Sequence, residues 1–196
     1  MQKVVETAIL GVIAIAQVGI LVWYYRKGKL KNKKEQERRQ ELAKEYPYEA
    51  LRTMALSVVP GAILANVPEG ELFVYSVLMD WHMGDDLITL VAQITGEANL
   101  YVKSGGGIIG AGKHVRVSEA AQAFVRLSAD FLQFAFPATA TALPDKNNLR
   151  FFLLTNKGKY VINEEMKNIE AKTSNIFPLF ERASNVIAEM RGSAGA

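Results

Sequence analysis

Between Thr7 and Tyr25 the chain runs for nineteen residues, TAILGVIAIAQVGILVWYY, without a formal charge. At about 1.5 Å of rise per residue, a helix over that run spans roughly 28 Å, close to the hydrocarbon thickness of a bilayer. Trp23, Tyr24 and Tyr25 close the run, where amphipathic rings favour the headgroup level, and Arg26, Lys27 and Lys29 follow at once. The pattern predicts a single transmembrane helix within residues 1–25, anchored by Trp23, Tyr24, Tyr25, Arg26 and Lys27. Two other readings compete with it. A cleaved signal peptide would end near Ala14 or Ala16, but VGILVWYY continues past them. A buried core helix apolar on every side would need a larger protein around it. Gly11, Gly19 and Gln17 offer small and amide side chains for lateral helix contact.

Charge is distributed unevenly. Residues 26–44 carry nine basic and three acidic side chains, whereas the whole chain is only +3. The basicity is thus local to a linker over 26–46, which is rich in helix formers and holds Glu35 and Arg39 at i,i+4 spacing. Lys27 to Lys34 lie where anionic lipid would attract them. One basic residue, Lys3, precedes the apolar run and at least six follow it, which puts the C-terminal domain on the cytoplasmic side. A nucleic-acid-binding domain would concentrate positive charge on its own surface, so no nucleic acid is expected.

Residues 47–191 read as an α+β domain, with a flexible tail over 192–196. YEALRTMALSVV predicts a helix stopped by Pro60 and Gly61. LFVYSVLM (72–79), LITLVAQIT (87–95) and LYVKS (100–104) read as strands joined by short turns, hence antiparallel. In the second of these, Ile88, Leu90, Ala92 and Ile94 mark one buried face. From Ser118, Phe124, Leu127, Phe131 and Phe134 recur at helical spacing and predict a helix lying on the sheet. RFFLLT and YVIN flank Asn156, Lys157, Gly158 and Lys159, a hairpin signal, and a final helix is expected over 175–191. The sum is a mostly antiparallel five-stranded sheet packed with helices.

This order of elements, carried by LFVYSVLM, LITLVAQIT, LYVKS, the helix from Ser118 and RFFLLTNKGKYVIN, resembles the longin, roadblock and profilin-like group of small domains. The resemblance is one of architecture over most of residues 72–191. It implies a non-enzymatic platform for dimerisation or small-GTPase contact.

Few residues invite chemistry. The chain has no cysteine and only two histidines, which excludes disulfides, thiolate metal sites and multi-histidine cages. In SGGGIIGAGKH (104–114), Gly107, Gly112 and Lys113 match the first part of a phosphate-cradling loop. His114 stands where a magnesium-binding hydroxyl would be, and a helix starting only near Ser118 would not aim its N-terminus into the loop. The competing reading is a glycine-rich connection presenting Ile108 and Ile109 to lipid or a partner. Asp80 and His82 share one strand face and form a candidate metal pair beside Asp85 and Asp86, although turns favour aspartate without any metal. No G-x-S-x-G elbow occurs.

With no catalytic residues and no cofactor expected, the sequence favours a non-enzyme. It reads as a single-pass, membrane-anchored cytoplasmic scaffold or interaction domain. Its expected partners are the lipid bilayer and other protein subunits in a homo- or hetero-oligomer. The alternative is a membrane-tethered nucleotide-binding enzyme using the glycine-rich loop 104–114.

Overall fold

Tyr48, Arg52, Ala55 and Leu56 fall on one stripe of a helix, and all four are buried in the computed structural model, which describes residues 47–67 and 70–194. That helix, α1 (Tyr48–Ser57), is followed by a short α2 (Pro60–Ile63) with proline at its start. Three antiparallel strands come next: β1 (Val74–Met83), β2 (Asp86–Gln93) and β3 (Ala98–Val102). Gly84 and Gly96 supply the positive φ of the two turns, +67° and +93°.

The glycine-rich segment contributes β4 (Gly107–Ile108) and a 3₁₀ turn (Ala111–Lys113), then runs into α3 (Val115–Ser128). Beyond α3 the chain tightens into a 3₁₀ stretch (Ala129–Phe134) and reaches β5 (Phe136–Pro137). The hairpin β6 (Asn148–Thr155) and β7 (Gly158–Glu165) follows, then α4 (Met166–Glu170) and α5 (Phe177–Ala194).

All strands join one sheet in the order β4-β3-β2-β1-β6-β7-β5, every neighbouring pair antiparallel. The expected five-stranded sheet is therefore corrected to seven strands. The two additional strands are two residues long and sit at the edges, too short for any period to register, and β5 contains a proline that limits pairing.

The sheet is covered on both faces. On the first, α3 and α5 pack over Val77, Met79, Ile88, Leu90, Phe151 and Leu153. On the second, α1 and residues 138–145 lie against Leu78, Leu87, Val91, Tyr101, Phe152 and Leu154. Two-sided burial explains why β2 is buried from Leu87 through Ala92, not on the single face that alternation suggested.

Several boundaries also move. β1 extends four residues past the expected Met79, because Asp80 to Met83 pair with Asp86 to Thr89. α3 begins at Val115, and α5 continues to Ala194, past the expected start of the tail. The expected aromatic stripe on α3 splits: Phe124 and Phe131 are buried, but the 3₁₀ stretch changes the period and turns Phe134 outward.

The transmembrane part of the expected architecture is not among these elements. No helix of the described residues is long and apolar enough to cross a membrane. The longest, α5, carries Glu181, Arg182, Glu189 and Arg191 and is amphipathic. The apolar run, its anchors Trp23, Tyr24, Tyr25, Arg26 and Lys27, and the basic linker all lie outside the described residues.

Candidate functional site

Asp80 sits in the middle of the central strand and is fully buried. A carboxylate there requires charge compensation, since desolvating an unpaired ion costs several kcal/mol, on the order of the whole stability of a small domain. Arg52 supplies it from the buried stripe of α1. Its Nε lies 3.1 and 3.0 Å from the two carboxylate oxygens, and Nη2 lies 2.6 Å from Oδ2. The remaining arm, Nη1, donates to the carbonyl of Thr141 at 2.8 Å, and the guanidinium stands 5.5 Å from the centroid of the Phe152 ring.

Register places Thr89 of β2 directly across from Asp80. An ionised carboxylate only accepts, so the Thr89 hydroxyl donates to Oδ1 at 2.5 Å, and Tyr48 in turn donates to Thr89 Oγ1 at 2.6 Å. Burial pushes the Tyr48 phenol up to about 12, and the negative charge of Asp80 acts in the same direction while the charge of Arg52 opposes it. Tyr75 pins the end of α1 as well, donating to the Val58 carbonyl at 2.7 Å.

This constellation is closed. Both oxygens of Asp80 are occupied by Arg52 and Thr89, so the carboxylate is not free to act as a base or to meet a cation beside the guanidinium. His82 lies on the same strand face, half-buried, and its Nδ1 has no hydrogen-bond partner among the described residues. Of the expected metal pair, Asp80 is thus engaged by Arg52 and Thr89, while His82 stands two residues further along the same strand. No group of three or more His, Asp or Glu side chains able to hold a metal occurs among the described residues. Asp86 serves the neighbouring turns, accepting from the Leu87 and Ser104 amides and the Ser104 hydroxyl.

The phosphate-loop residues have other roles. Gly107 pairs with Tyr101 as an edge strand, and a Cβ on it would stand 2.2 Å from the Leu100 carbonyl oxygen. A Cβ on Gly112 would meet the Gly96 carbonyl at 2.4 Å and Glu97 Cα at 2.7 Å. Gly110 takes the left-handed conformation, and its amide donates to Asn99 Oδ1. The three glycines let this segment lie close against β3 and the turn before it. Lys113 ends the 3₁₀ turn, which leads into α3 at Val115, so the helix begins earlier than the sequence suggested.

Elsewhere, a polar depression of about 460 Å³ is lined by Lys146, Asn147, Asn148, Glu165, Met166, Lys167 and Glu170. Its lysines are already engaged, Lys146 with Asp85 at 3.1 Å and Lys167 with Glu165 at 2.6 Å. The most exposed aromatic side chain among the described residues is Phe136 on the edge strand β5, 72% accessible, next to Phe134.

Sequence reading missed Arg52, Thr89 and Tyr48. The signal was present: an aspartate inside an otherwise apolar strand demands a buried cation, and Arg52 is the charged residue on the apolar stripe of α1. No family model matches this chain, and no curated protein or solved structure does so either. An α+β domain is present as expected, while nothing in the described residues supports the expected scaffold or oligomer.

Proposed function

We propose that this chain is a membrane-anchored interaction domain that binds another protein on the cytoplasmic side. The observation that carries the reading is the closed state of the Arg52–Asp80–Thr89–Tyr48 network. The most deeply buried charged groups hold α1 to the sheet and present nothing to a substrate. The apolar run 7–25 and the basic residues behind it supply the anchor and its orientation. In this reading Phe136, 72% accessible on the β5 edge, is the side chain at which contact with a protein partner is sought.

Fractionation of the intact chain tests the anchor. It is expected to float with membranes and to be released only by detergent; recovery of the unprocessed polypeptide in a detergent-free supernatant would reject it. A photo-reactive side chain at position 136 tests the contact. It is expected to give a discrete adduct with a cytoplasmic protein that the same probe at exposed Glu181 does not give, and equal labelling from both positions would count against a specific surface. The nucleotide-dependent alternative is met by equilibrium binding of ATP and GTP to the full chain. No saturable binding is expected, and saturation that disappears in Lys113→Ala would replace the present reading.

A further inference from the structure

Residues 138–145, ATATALPD, cross the second face of the sheet between β5 and β6. The strap is tied to the sheet backbone near its start, where the Ala138 amide donates to the Lys159 carbonyl at 2.9 Å. Between its ends the hydrogen bonds come from two arginine side chains. Arg52 Nη1 donates to Thr141, and Arg150 Nη1 donates to Ala142 at 2.5 Å and more weakly to Leu143. Arg150 is itself steadied by Asn163, whose Oδ1 accepts from its Nε. Beneath the strap, Ala138 and Leu143 join the same apolar cluster as Leu51 and Leu56 of α1.

Arg52 therefore belongs to three parts at once. It is rooted in α1, its charge is neutralised by Asp80 on β1, and its free arm holds the strap. Displacing α1 withdraws the donor from Thr141. Displacing the strap leaves one arm of a buried guanidinium without an acceptor, which weakens the seat of α1. Both also pack into one apolar cluster with the sheet, which couples them in the same sense.

We infer that α1 and the 138–145 strap form one cover over the second face of the sheet, pinned by Arg52 and opening as a unit. Opening bares Leu78, Leu87, Val91 and Phe152 while α3 and α5 keep the opposite face closed.

The natural chain has no cysteine, so single thiols can be introduced without background. Ala55→Cys reports on the inner side of α1, Pro144→Cys on the buried part of the strap, and Val77→Cys on the opposite face. In otherwise unaltered chains, thiol-labelling rates at 55 and 144 should agree within about threefold and share one denaturant dependence, with position 77 far slower. Arg150→Met, which removes a strap tie without touching α1, should then accelerate labelling at 55 and at 144 together, by roughly tenfold. Acceleration at 144 alone would overturn the inference. So would rates at 55 and 144 that differ by more than about tenfold in the unaltered background, which decides the matter even if Arg150→Met fails to fold.

Discussion

Arg52 is the residue on which the second face of the sheet depends. Removing one partner of a buried pair leaves the other charge uncompensated, so Arg52→Met is expected to destabilise the chain by about 3–5 kcal/mol. Replacing both partners, Arg52→Met with Asp80→Leu, should recover most of that loss, a non-additivity that denaturant unfolding of the two single variants and the double variant would measure. Gly112 makes the contrasting case. Its missing side chain is required by the Gly96 carbonyl and Glu97 backbone beside it, so Gly112→Ala should cost about 1–3 kcal/mol. Lys113→Ala, next in sequence, should stay within about 0.5 kcal/mol. If the two glycine-loop variants proved equally harmless, the packing role given to Gly112 would be wrong.

At the scale of elements, the β6–β7 hairpin turns on Gly158, whose φ of +124° is costly for any residue with a side chain, although a Cβ would meet nothing within 4 Å. Gly158→Ala is therefore expected to lose about 1–3 kcal/mol from backbone strain alone. Gly61, in α2 with equally open surroundings and ordinary φ, tolerates the same change. Thermal unfolding of the two alanine variants separates strain from crowding. Edge and centre of the sheet should differ as sharply. Phe136→Ser on β5 removes an exposed ring and should leave the melting temperature nearly unchanged. Phe151→Ala, fully buried on β6 with its ring against Phe124, should cost about 3–5 kcal/mol.

For the whole molecule, the clearest pH dependence lies on the alkaline side. Burial pushes the phenols of Tyr48 and Tyr101 up to about 12 from an ordinary 10.0, and burial raises Tyr75 as well. Above pH 10 the unfolded chain releases these protons while the folded chain retains them, so the unfolded state gains. Stability should be fully present below about pH 10 and fall steadily toward pH 12, a slope that Tyr101→Phe reduces in denaturant titrations. An unchanged slope in that variant would remove Tyr101 from the explanation. On the acid side, burial raises the Glu164 carboxyl, but donation from Ser174, Asn168 and the Glu165 amide outweighs it and holds the group low. Its contribution is present above the ordinary carboxylate range and is lost as pH falls through its lowered value.

How much of this was legible depended on the range of the interaction. Strands β1, β2, β3, β6 and β7, the helices around Tyr48, Ala121 and Val186, and the turns at Gly84 and Gly158 all announce themselves within a few residues. Apolar period and glycine placement are local properties of the chain. The charge contrast between residues 26–44 and the rest is equally local. Tertiary structure alone decided the rest. It added the two short edge strands, closed both faces of the sheet, gave Gly107 and Gly112 their neighbours, and joined Arg52 to Asp80 across 28 positions and to Thr141 across 89. Those partners meet only after strand order and register bring them together, and no spacing along the chain encodes that meeting.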